Sequence, residues 1–165
     1  MRISFDLDDT LICHGGETPC EPPPCGLWRV IAPSEPLRLG SRELMKALIG
    51  RGWEIWVYTT SHRRPREVRL WLRSYGIRVS GVVNGEIHER HFRKSGHPRP
   101  PSKHPGVFGI DLHVDDSDGV RMEGDLHRFR VVVIDPRDER WAERVLAAAE
   151  EVQSTRQPTP ACRSG

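Results

Sequence analysis

The sequence predicts an α/β domain, a parallel sheet with helices on both faces. Three observations carry this expectation. Short apolar runs recur at residues 3–7, 54–59, 77–83, 107–114 and 129–134, with helical patterning or long polar stretches between them. The run at 54–59 is apolar almost throughout, as in strands buried on both faces. The first run ends in the carboxylates Asp6, Asp8 and Asp9, and ligands of open α/β sheets bind at the carboxyl ends of strands.

The elements follow in order. Residues 3–7 form the first strand. Residues 13–27 are a loop rich in Pro, Gly and Cys, stiffened by Pro22, Pro23 and Pro24. Residues 27–32 read as a short extended segment. Residues 41–50 read as a helix with Leu44, Met45 and Leu48 on one face. Residues 54–59 are the second strand. Pro65 opens the next helix, Val68, Leu72 and Tyr75 line its inner face, and Gly76 closes it. Residues 77–83 are the third strand, ended by Asn84-Gly85. Residues 85–106, polar and rich in His and Pro, read as loop. Residues 107–114 hold the fourth strand and 129–134 a buried fifth. Residues 140–152 read as a closing helix with Trp141, Val145, Leu146 and Ala149 inward. Residues 154–165 read as a disordered tail, leaving one domain over 1–153.

Composition excludes several classes. The chain has 165 residues, 29% of them charged, and a net charge of only +2. That length suits one domain with a real core. No global charge imbalance announces a nucleic-acid or membrane partner. No long apolar run suits a membrane span. The acidic start does not resemble an export signal, so a cytoplasmic setting and reduced cysteines are expected.

Asp6 and Asp8 alternate with Leu7 and so share one face of the first strand. Two neighbouring carboxylates repel each other and are costly to desolvate. A divalent cation is the simplest compensation, and an acidic turn is the plainer alternative. Asp115 and Asp116 follow the fourth apolar run in the same manner, and Thr59 ends the second.

Asp6-Leu7-Asp8-Asp9-Thr10-Leu11 resembles the first signature of the haloacid dehalogenase (HAD) superfamily, Asp-x-Asp-x-Thr. Three weaker signatures follow in that family's order. They are an apolar strand ending in Thr59, Lys103 ahead of a later strand, and the acidic pair Asp115-Asp116. The resemblance implies a Rossmann-like HAD fold, with a five-stranded parallel sheet in the order 5-4-1-2-3. It also implies a phosphatase. Asp6 would be the nucleophile and Asp8 the general acid and base. Thr59 and Lys103 would bind phosphoryl oxygens, and Thr10 would brace the loop after the first strand. Mg²⁺ would be held by the Asp6 carboxylate, the Asp8 backbone carbonyl and Asp116, with Asp115 direct or through water. Thr60 or Ser61 are alternatives to Thr59, while Arg99 and His104 are alternatives to Lys103. Asp118 reads as a helix cap, and Asp111 lies too far back in its strand for the metal.

About 48 residues separate Thr10 from Thr59 and about 19 separate Val83 from Lys103. Neither interval holds a sizeable cap domain, though 13–33 can form a flap. Such an open site admits a phosphorylated small molecule or macromolecule, or relies on another subunit to exclude water. A polynucleotide phosphatase, gripping its substrate through residues 63–73 and the basic loop, is the second reading. A catalytically silent HAD-like binding domain is the third. A receiver domain is disfavoured, because no Asp lies between residues 55 and 60. Cys13, His14, Cys20 and Cys25 are the residue types of a zinc site, but at irregular spacing, and free thiols are the favoured reading. His88, His91, His97 and His104, among Arg90, Arg93, Lys94, Arg99 and Lys103, read as a solvated polar loop or a basic rim.

Overall fold

The computed structural model describes residues 1–14, 18–33, 35–95 and 100–156. Five parallel strands, β1 (Arg2–Phe5), β2 (Glu54–Tyr58), β3 (Gly81–Val83), β4 (Leu112–Asp115) and β5 (Val131–Val133), form one sheet in the order β3-β2-β1-β4-β5. This is the expected order viewed from the other edge. Phe5 lies level with Val57 of β2 and Val114 of β4. The three strands therefore end side by side, which brings residues 6, 59 and 115 to one rim.

Strand alternation divides the sheet into two unlike faces. Ile3, Phe5 and Leu7, then Ile55 and Val57, then Leu112 and Val114 point into the larger core. That core is closed by α2 (Ser41–Gly50), α3 (Pro65–Ser74) and α6 (Trp141–Arg156). Val68, Trp71 and Leu72 are the buried face of α3, and Trp141, Val145, Ala149 and Val152 that of α6. The other face is polar where it nears the rim. Tyr58, Val83 and Ile110 form only a small apolar cluster there, and Ser4, Asp6, His113 and Asp115 are buried among them at alternate strand positions. Right-handed crossovers put α4 (Gly85–Lys94) and α5 (Asp118–His127) over this second face.

Several elements differ from the sequence expectation. Residues 85–94, read as loop, form α4. Asn84 caps it, its Oδ1 accepting the Ile87 N–H at 3.0 Å. Its buried side carries Gly85, His88 and Phe92, so Phe92 is the one large apolar residue buried on it. Gly85 is required there, because a Cβ would stand 2.5 Å from the Thr60 carbonyl oxygen. Residues 27–32, read as extended, contain a single helical turn, α1 (Trp28–Ile31). The third strand is shorter than the run at 77–83. Part of the fourth run is a 3-10 turn (Pro105–Phe108). The fifth strand is a half-buried edge rather than a buried strand. Ser117, not Asp118, caps α5, its Oγ accepting the Gly119 N–H, and Asp118 lies in the first turn. The last helix runs on to Arg156, and 157–165 lie outside the described residues. So do His97 and Arg99. Among the described residues no helix is long and apolar enough to cross a membrane.

Candidate active site

The chain leaves β1 through a tight turn. The N–H groups of Thr10, Leu11 and Ile12 all approach the Leu7 carbonyl, at 3.3, 2.9 and 2.7 Å, and Asp9 takes a positive φ of 55°. Asp tolerates that left-handed backbone better than most residues. The turn buries Thr10 completely and swings Asp8 toward solvent. Asp6 stays in the sheet, its N–H bonded to the Val114 carbonyl at 2.9 Å, and is only 7% exposed.

Lys103 joins the acidic residues. It is 3% exposed, and its Nζ lies 2.9 Å from Asp6 Oδ1 and also bonds Asp115 Oδ2. Burial alone would lower the ammonium, but Asp6 and Asp115 outweigh it and keep Lys103 firmly charged. Its backbone is anchored by α5. Glu123 accepts the Ser102 N–H and Oγ–H, each at 2.7 Å, and the Lys103 N–H at 3.1 Å.

The three inner carboxylates behave differently. Burial raises the Asp6 carboxyl, and the nearby Asp115 charge adds to this against the pull of Lys103. Burial would raise Asp115 as well, but the His113 hydrogen bond and Lys103 outweigh it and hold the group at about 2. Asp115 accepts from three donors. His113 Nε2 and Lys103 meet Oδ2, and the Ser117 N–H meets Oδ1 at 2.9 Å. Asp116 is half-buried and raised, by burial and by the charge of Asp115.

Oxygens of Asp6, Asp115 and Asp116 lie within 4.8 Å of one another, a grouping that could hold a metal ion. Three carboxylates against one ammonium leave the cluster negative, and two of them are pushed toward their neutral forms. A hard divalent cation on oxygen ligands fits that donor set. The Asp8 carboxylate is not part of the group.

Asp8 is held elsewhere. Arg63 Nη1 and His14 Nε2 each approach its carboxylate to 2.8 Å. Partial burial would raise Asp8, but these two bonds prevail and hold it below the ordinary range. Arg63 also reaches Glu35 at 3.3 Å, and its carbonyl accepts the Asn84 Nδ2–H at 3.1 Å. Thr59 is buried just past β2. Its Oγ1 accepts the Ser61 N–H at 3.1 Å, which leaves the hydroxyl hydrogen for another acceptor.

The expected residues thus lie along one rim, with Asp6, Asp115 and Asp116 grouped, Lys103 bound to Asp6 and Asp115, and Asp8 turned onto Arg63. His14 bonds Asp8, and Cys13, Cys20 and Cys25 form no disulfide among the described residues. Sequence reasoning missed His113, Ser4, Glu123 and Glu35 entirely, and saw Arg63 only as part of a basic stretch. His113 had one available signal, a polar residue two positions before Asp115 inside an apolar strand. The others have no sequence signature, because their partners are remote in the chain.

No family model matches the chain, and no curated protein sequence matches it. Among solved structures, "a predicted HAD-like family hydrolase from Porphyromonas gingivalis" aligns over 95% of this chain and 98% of its own, at 13% identity and a TM-score of 0.46. A hypothetical protein from Pyrococcus horikoshii OT3 aligns over 82% of this chain and 42% of its own, at 21% identity and a TM-score of 0.38. Likeness that distant carries no argument about chemistry. The chain's own topology defines it as a Rossmann-like α/β fold, with helices on both faces of a five-stranded parallel sheet in the order β3-β2-β1-β4-β5.

Proposed function

We propose that this chain is a Mg²⁺-dependent phosphate monoester hydrolase of the capless HAD type, with a catalytic unit over 1–153 and residues 13–33 as its flap. The observation that carries the reading is the convergence of Asp6, Asp115 and Asp116 at the carboxyl ends of β1 and β4, with buried Lys103 bound to the first two.

Asp6 attacks phosphorus with one carboxylate oxygen, and the P–O bond to the leaving group breaks. Asp8 gives its proton to the departing oxygen, then takes a proton from the water that cleaves the aspartyl-phosphate and frees Asp6. Lys103 and the Thr59 hydroxyl bind phosphoryl oxygens as charge shifts onto them. The Asp6 and Asp116 carboxylates and the Asp8 carbonyl would hold Mg²⁺, with Asp115 direct or through water. Its positive charge would let an anionic ester approach an anionic nucleophile. Thr10 braces the turn that carries Asp8. The Arg63–His14 clamp favours the ionised form of Asp8, so a substrate phosphate that draws Arg63 away would also ease protonation of Asp8.

Hydrolysis of an aryl phosphate tests the reading. Turnover is expected with Mg²⁺, none with a chelator, and recovery on adding Mg²⁺ back. Turnover that persists in the chelator would overturn the metal, and no turnover of any phosphate ester would overturn the reaction.

A further inference from the structure

Positive charge gathers on α3 and the residues flanking it. Residues 63–78 hold six arginines against a single glutamate, while the whole chain is only +2, so the remainder is net acidic. Arg66, Arg69 and Arg73 recur at i, i+3 and i+7 of α3 and fall on one stripe. That stripe lies opposite Val68, Trp71 and Leu72, which face the core. All three arginines are exposed, as is Arg64 at the helix start. No carboxylate pairs with any of these four among the described residues, whereas Arg90, Arg121 and Arg140 all have acidic neighbours within one helical turn. The stripe starts at the site, since Arg63, adjoining Arg64, is the residue that grips Asp8.

We propose that the outer face of α3 is a track for a nucleic-acid backbone, which leads a terminal phosphate monoester into the rim beside Asp6. The inference rests on the phosphatase reading and names its substrate class. Arg66 to Arg73 spans about 10 Å along the helix axis. About three successive phosphates of one strand rise through that distance. Guanidinium groups match phosphate oxygens in paired bonds, which an ammonium does not. A membrane surface is the poorer partner. Surface-binding helices place apolar side chains among their basic ones, and none of the exposed large apolar residues of this protein lies on α3. A stripe left without carboxylate partners is also ready to bind without first breaking ion pairs.

The test uses the full chain and single-stranded oligonucleotides of about twelve nucleotides, with a 5′- or 3′-terminal phosphate. Binding is read by fluorescence anisotropy on Asp6→Asn protein, so that it is independent of turnover. The triple variant R66Q/R69Q/R73Q, made in the same background, is expected to bind about tenfold more weakly at low salt, and its salt slope to fall by about 2, at about 0.7 per lost phosphate contact. With Asp6 restored, the triple variant keeps its rate on an aryl phosphate and loses on the oligonucleotide, chiefly in KM. The corresponding triple Lys variant, which keeps the charge, restores most of the binding. Equal binding by wild type and the triple Gln variant would overturn the track, as would anionic vesicles binding where oligonucleotides do not. Charge-dependent oligonucleotide binding without turnover of any phosphate ester would support the track and overturn the phosphatase.

Discussion

His113 Nε2 lies 2.9 Å from Asp115 Oδ2, and its Nδ1 lies 2.8 Å from Ser4 Oγ. Ser4 and His113 are level in the β1–β4 ladder, so the chain Ser4–His113–Asp115 runs beneath the rim, within the polar face of the sheet. A neutral ring with its proton on Nε2 satisfies every group in it. Ser4 donates to Nδ1, and Nε2–H donates to the Asp115 carboxylate. His113 thereby orients a carboxylate of the metal group from behind, without reaching the metal position itself.

His113→Phe should leave Asp115 short of a donor and free to rotate. The expected loss in Mg²⁺ affinity is about 10- to 100-fold, the usual cost of removing an outer partner of a ligand. Calorimetric titration of Mg²⁺ measures it without reference to activity. His113→Gln, which can still donate to Asp115, should recover part of the loss.

Asp6→Asn should abolish turnover of an aryl phosphate and leave the fold intact, because it removes the attacking charge and keeps the shape. Circular dichroism checks the fold. Residual activity above about a hundredth of wild type would remove Asp6 from the nucleophile's role.

Asp116→Ala should weaken Mg²⁺ binding far more than Asp118→Ala. Asp116 lies in the metal group, whereas Asp118 pairs with Arg121 at 3.0 Å on the surface of α5. Comparable losses from the two would move the metal away from Asp116.

Asn84→Ala should lower stability by about 1–2 kcal/mol, the cost of a lost helix cap. The side chain is buried and serves two partners, the Ile87 N–H of α4 and the Arg63 carbonyl. Urea unfolding gives the stability change. A rise in KM alongside it would show that Arg63 has loosened its hold on Asp8.

Stability of the metal-free protein should fall as the pH drops below about 6.5, the ordinary imidazole value. Burial keeps His113 and His88 below the usual imidazole range. Both rings take up a proton less readily in the folded protein than in the unfolded chain, whose imidazoles titrate near about 6.5. Their contribution is therefore fully present above that value and is lost as the pH falls. Asp6 and Asp116, whose carboxyls are raised, act in the opposite direction at lower pH. The double variant His88→Gln/His113→Gln should flatten the dependence in urea titrations, and an unchanged slope would exclude these two rings as its source.

The strand runs, their order of appearance and the carboxylates at their ends were legible in the chain, because each depends on local pattern. Alternation along β1 alone puts Asp6 opposite Leu7, and an apolar strand ending in Asp115-Asp116 needs no distant partner to be seen. Helix α3 could be read from Pro65, Val68 and Leu72 for the same reason. Helix α4 could not, because its buried face consists of Gly85, His88 and Phe92. His88 is accommodated there by the Tyr58 hydroxyl, 2.5 Å from its Nδ1, and by the Pro101 backbone. The arrangement of the site was likewise a tertiary decision. Parallel pairing of β1 with β4 sets Asp6 beside Asp115, and Glu123 of α5 pins the segment that delivers Lys103. Packing around Asn84 holds Arg63 where it draws Asp8 aside. The sequence by itself determined which groups could do chemistry. Their charge states and mutual distances belong to the fold, because burial and the partners that folding brings beside each group set both.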